Sequence, residues 1–123
     1  MKIEALLDLI NSDNNLMELT GQIKAELFRV EDVEPIETGA RIILAPTAWG
    51  NPDNWGSNRP QRRTFDFQIN VESSDLALSL DVADALEELF MKNKINRMGS
   101  TISENVEYLM VIARRYRFSD IFN

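Results

Sequence analysis

Apolar and polar positions along the chain follow two different periods, and the change from one to the other marks out its elements. Ile3, Leu6, Leu7 and Ile10 share one helical face, opposite Glu4, Asp8 and Asn11, which predicts an amphipathic N-terminal helix. That helix stops in Asn11-Ser12-Asp13-Asn14-Asn15, residues whose side chains favour turns. The next stretch fits two patterns. Leu16, Leu19, Ile23, Leu27 and Val30 lie at helical spacing, while Ile23, Ala25 and Leu27 alternate with Lys24 and Glu26 as in a half-buried strand. Gly21 argues against one continuous helix, so the reading is a helical turn followed by a strand from about 22 to 30.

Residues 31 to 38 are acidic and turn-like around Pro35, and Ala40 to Ala45 form a compact apolar strand closed by Pro46. The segment 46–62, PTAWGNPDNWGSNRPQR, carries three of the four prolines, two of the five glycines and both tryptophans. It reads as one long loop, and loops of that length in a compact domain are usually functional or mobile. Phe65, Phe67, Ile69 and Val71 then alternate with Thr64, Asp66, Gln68 and Asn70, the clearest strand in the chain. Ser73, Ser74 and Asp75 offer an N-cap for a helix from about 75 to 92, with the apolar stripe Leu78, Val82, Leu86, Leu89 and Phe90. A short strand around Thr101 and Ile102, a turn at Ser103-Glu104-Asn105 and a final strand from about Glu107 to Phe118 complete the pattern. The expected fold is α+β in a single domain, residues 1–123. It has a mostly antiparallel sheet of about four to five strands, two main helices packed on one face and the long 46–62 loop.

Composition narrows the chemistry. Lys and Arg number 13 against 20 Asp and Glu, a net charge of −7, and a chain this acidic repels nucleic-acid phosphate. No histidine is present, which removes the commonest general base and metal ligand, and no cysteine, which removes disulfides and thiolate chemistry. None of the Walker A, GxGxxG, GxSxG, HExxH or EF-hand patterns occurs, so no catalytic, cofactor-binding or metal-binding residue is assigned. Asp81, Asp84 and Glu88 share a helix face and read as a solvated surface rather than a metal site or a carboxylate-only hydrolase. No apolar run approaches the ~18 residues that cross a bilayer, so no membrane association is expected.

The candidate chemistry is therefore that of an interface. Trp49 and Trp55 lie six residues apart in the loop, with Arg59, Arg62 and Arg63 beside them, and Trp and Arg are enriched at binding hot spots. The tryptophans equally suit a lid folded back over the core. Arg114 and Arg115, with Arg117, either grip an anion or pair with carboxylates of the same or a neighbouring copy.

The order of stretches resembles a known family. ARIILAP, the Asn/Gly-rich NPDNWGSNRPQ, the arginine-led RRTFDFQINVES, the Leu-rich LALSLDVADALEELF and the terminal LMVIARRYRF follow an N-terminal amphipathic helix. This layout resembles the tail completion, or tail terminator, proteins of head–tail joining in siphophages and prophages. The resemblance implies a structural virion protein of the tail, assembled in the bacterial host cytoplasm. It would be a homo-oligomeric ring of about six copies that caps the tail tube and docks on the head–tail connector, with no enzymatic activity and no cofactor. A ring needs two complementary patches per subunit. The acidic N-terminal part (nine acids against four bases through residue 45) and the basic C-terminal strand offer one such pair. The competing expectation is a cytosolic ligand- or peptide-binding module that uses the Trp49/Trp55 loop.

Overall fold

The computed structural model describes residues 2–27, 36–56, 59–106 and 108–121, and their side chains outside 49–62 and 120–121. Local chemistry sets the helical elements. Helix α1 (Ile3–Asn11) buries Leu6 and Ile10, and Asp13 caps α2 (Asn14–Thr20) by accepting the Leu16 N–H at 2.9 Å. Gly21 ends α2 in the left-handed conformation, at φ 75°. The chain then runs to β1 (Glu26–Leu27), whose approach is fixed by the Ala25 N–H donating to Asn11 Oδ1 at 2.8 Å. The strand expected over 22–30 is thus two residues long as far as 27, and 28–30 lie outside the described residues.

Strands β2 (Ala40–Gly56) and β3 (Arg59–Ser73) form an antiparallel hairpin whose arms run through most of the segment expected to be a loop. Its turn-prone residues are accommodated as breaks in register, between Pro46 and Ala48, Trp49 and Asn51, and at Pro52/Asn54/Trp55. Proline removes a donor, which matters little where a strand has no outer partner. Among the described residues, Pro46 and Pro52 lie on β2 beyond the two residues that pair with β1, and Pro60 lies beyond Arg62, where pairing with the last strand ends. Helix α3 (Leu76–Lys92) follows, capped by Asp75, which accepts the Ala77 N–H at 3.0 Å. Strands β4 (Asn96–Val106) and β5 (Leu109–Ile121) make the second hairpin. The Ser103–Asn105 stretch expected to turn is strand. The break sits earlier, between Met98 and Ile102, where Gly99 takes φ 72°.

The five-stranded sheet has the order β1-β2-β3-β5-β4, with β1 parallel to β2 and all other pairs antiparallel. The three helices share one face of it, so the architecture is α+β as the patterning implied, with the short α2 as a third helix. Leu6, Ile10 and Leu16 from α1 and α2, and Val82, Leu86 and Phe90 from α3, meet Ile42, Leu44, Phe67, Ile69, Val71, Ile112 and Tyr116 in one core. Phe67 sits at its centre, 5.6 Å from the Phe90 ring edge-on and 5.7 Å from Tyr116. The N-terminus of α3 is tied to the sheet by buried hydroxyls: Ser79 lies 2.6 Å from Ser73 and donates to the Met110 carbonyl at 2.8 Å. Among the described residues, the opposite face of the sheet carries no helix.

Candidate functional site

Strand alternation sends neighbouring residues of β5 to opposite faces, and this divides the arginines of the basic cluster. Ile112, Arg114, Tyr116 and Phe118 face the helices; Ala113, Arg115 and Arg117 face away. Arg114 is 8% exposed. Its Nη2 donates to Asp84 of α3 at 3.0 Å and its Nε to the Thr101 hydroxyl of β4 at 2.9 Å, while Nη1 stands 4.0 Å from Glu87 with no hydrogen bond of its own. Glu87 also takes Arg97 at 3.2 Å and the Tyr116 hydroxyl at 3.2 Å. Burial, reinforced by the Glu87 charge, pushes the Tyr116 phenol up to about 12. This network clamps α3 to the β4–β5 hairpin, and it places Arg114 inside its own subunit.

The outer sheet face is laced with polar cross-strand pairs. Arg117 grips Asp66 with two hydrogen bonds, at 2.6 and 2.8 Å, and this holds the Asp66 carboxyl below its ordinary range despite partial burial. Arg41 pairs with the buried Glu72 at 3.0 Å. Arg115 differs. It is exposed, its partner among the described residues is the Gln68 side-chain oxygen at a long 3.4 Å, and Gln68 is itself held by Asn70 at 2.9 Å. Beside Arg115, the break in β4 opens a groove of about 250 Å³ floored by Met98, Ile102 and Ala113, with Ile102 half exposed. A second groove of about 320 Å³ adjoins it at Met98 and is lined by Lys94 and Arg117. Both are shallow and open to solvent, a shape suited to a protein surface more than to an enclosed small molecule.

The backbone at Trp49, Trp55, Arg59 and Arg62 belongs to the β2–β3 hairpin, but their side chains lie outside the described residues. Arg63 is half-buried on β3, paired across the sheet with Pro52 and Asp120. The site residues expected from sequence therefore fall in three places: the hairpin arms, the clamp under α3, and the outer sheet face. Sequence reasoning missed the Met98–Ile102 groove, since a break in strand register leaves only Gly99 as its signal. Among the described residues, no group of three or more Asp or Glu side chains is placed to hold a metal ion, and no helix is long and apolar enough to cross a membrane.

No family model and no curated protein matches the chain. Among solved structures, a chain in the virion of a native gene transfer agent particle superposes with a TM-score of 0.61, at 18% identity, over 89% of this chain and 87% of that one. At that identity the likeness is one of fold, and it spans nearly the whole α+β architecture of both chains.

Proposed function

We propose that this chain is a structural virion protein of a phage-like particle, acting in tail completion. It closes the tail tube as a ring of about six copies and presents a docking surface to the head–tail connector. The observation that carries the reading is the near full-length fold likeness to a chain of a gene transfer agent virion. The layout of the sequence supports it independently. So does the electrostatics: a net charge of −7 suits a ring around passing DNA, because such a channel must not hold the phosphate backbone. The site chemistry agrees: among the described residues, the helix-free face of the sheet carries cross-strand ion pairs and two shallow grooves. In this reading the protein has no catalytic residues, and Arg115 with the hairpin residues Trp49, Trp55, Arg59, Arg62 and Arg63 supplies contacts to neighbouring copies or to the tube.

Light scattering across a concentration series, with negative-stain imaging of the large species, tests this. A closed ring of about six subunits, formed without any ligand, is the expected result. A strict monomer whose tryptophan fluorescence changes with a small molecule or peptide would overturn it in favour of a binding module.

A further inference from the structure

Strand β4 lies at the end of the sheet, and its two halves treat that edge differently. The first half is blunted: Gly99 sits in the break in register, and Arg97 reaches along it to donate to the Thr101 hydroxyl at 3.0 Å. From Ile102 to Val106 the strand is regular. It pairs with β5 residue for residue and has no strand on its other side among the described residues. That half carries no proline, lysine or bulge, the devices that keep natural edges from pairing, so its outward N–H and C=O groups form an open ladder.

Apolar side chains flank the open ladder on both faces. On the helix-free face, Ile102 and Val106 are 51% and 36% exposed. On the other, α3 turns toward the hairpin the side whose Asp84 and Glu87 reach Arg114 and Arg97. One and two turns before Asp84 that side carries Leu80 and Leu76, 37% and 43% exposed. Ser79, donating to the carbonyl of Met110 opposite Asn105, sets this part of α3 beside the Ile102–Val106 half of β4. The β4 side chains on that face are Ser103 and Asn105, polar and exposed, so the leucines overhang the edge. Glu104, between Ile102 and Val106, is exposed and has no ion pair or hydrogen bond among the described residues.

We propose that the Ile102–Val106 edge is a strand-acceptor site, at which an extended segment of a different protein adds to the sheet beside β4. The site defines the chemistry of that segment. Residues turned to the helix layer are apolar, against Leu76 and Leu80; those on the other face are apolar against Ile102 and Val106, with a Lys or Arg against Glu104. Glu104 also decides against a second copy at this edge. Antiparallel pairing of Ile102–Val106 with itself sets Glu104 opposite Glu104, and a shifted register runs into the break or past Val106 into the β4–β5 connection. The inference goes beyond the ring reading and does not rest on it.

The probe is the capped, fluorescein-labelled peptide Thr-Val-Leu-Lys-Leu-Val-Thr, titrated with the full chain to millimolar concentration and read by anisotropy. Hydrogen exchange read by mass spectrometry locates the contact. Saturable binding, with new amide protection confined to the Ile102–Val106 stretch, is the expected result. Glu104→Lys should weaken binding by about fivefold or more, and a peptide with glutamate in place of its lysine should restore it, which also shows that the variant folds. Leu80→Lys, at an exposed position, should weaken binding by about the same factor with an unchanged unfolding midpoint. Absence of binding, protection elsewhere, unchanged affinity in Leu80→Lys, or a Glu104→Lys chain that does not distinguish the two peptides would overturn the proposal. Protection of Ile102–Val106 in the chain alone, lost on dilution, would overturn it in favour of a second copy.

Discussion

Arg114→Met separates a clamp from an interface, and its cost can be worked from the geometry. Removing one partner of a buried ion pair usually costs about 3–5 kcal/mol, because the other charge is stranded away from water. Here the partners are not stranded. The Asp84 side chain is 68% exposed and rehydrates, and Glu87 keeps Arg97 and the Tyr116 hydroxyl. What is lost is the pair of hydrogen bonds from Nη2 and Nε; what is gained is release of a buried Nη1 that has no hydrogen bond. A methionine also packs against Ala83, Leu86 and Tyr116, which line the same site. The net loss should be about 1–2 kcal/mol for Arg114→Met. Arg114→Ala adds a void between α3 and the sheet and should lose about 3–4 kcal/mol. Urea unfolding with unchanged m-values measures both, and light scattering should find Arg114→Met assembling as the wild type does. If Arg114→Met costs as much as Arg114→Ala, the carboxylates are stranded after all and their rehydration is refuted. If Arg114→Met folds yet no longer assembles, Arg114 belongs to the interface.

Other outcomes follow from the same structure. The buried Tyr116 phenol keeps its proton up to about 12, whereas in the unfolded chain it ionises near 10. Its contribution is therefore complete below pH 10 and is lost as pH rises from there to about 12, with a one-proton slope. Tyr116→Phe should flatten that decline in a series of thermal unfolding curves; an unchanged slope would contradict the role of burial. Gly39 has φ 81°, and an added Cβ would lie 2.3 Å from the Thr20 carbonyl oxygen, so Gly39→Ala should destabilise by more than about 2 kcal/mol. Gly99→Ala, at φ 72° with nothing within 4 Å, should cost only about 1 kcal/mol by the same unfolding measurement, and equal losses at the two sites would count against the close approach at Gly39.

Much of this architecture was legible in the chain where burial repeats at a fixed period. The alternation from Phe65 to Val71 placed β3, and the Val82–Leu86–Phe90 stripe placed the buried face of α3. The 46–62 segment was not legible, because residues that break a central strand are tolerated where β2, among the described residues, has little outer pairing and where each irregularity becomes a shift in register. The extent of β4 was hidden for a related reason. An edge strand exposed along most of its length shows no hydrophobic alternation. At the candidate site, the sequence reading takes Arg114, Arg115 and Arg117 as one cluster, whereas alternation with the buried Ile112 and Tyr116 turns Arg114 inward and leaves Arg115 outward. The identity of the Arg114 partner was not accessible, since Asp84 lies thirty residues earlier on another element and carries the polarity of an ordinary solvated helix face.

Whether the chain assembles with copies of itself, as the proposed ring requires, is read by native mass spectrometry of the purified protein. The expected result is a dominant closed species of about six 14.1 kDa subunits. A single 14.1 kDa species at all concentrations and salts would contradict it.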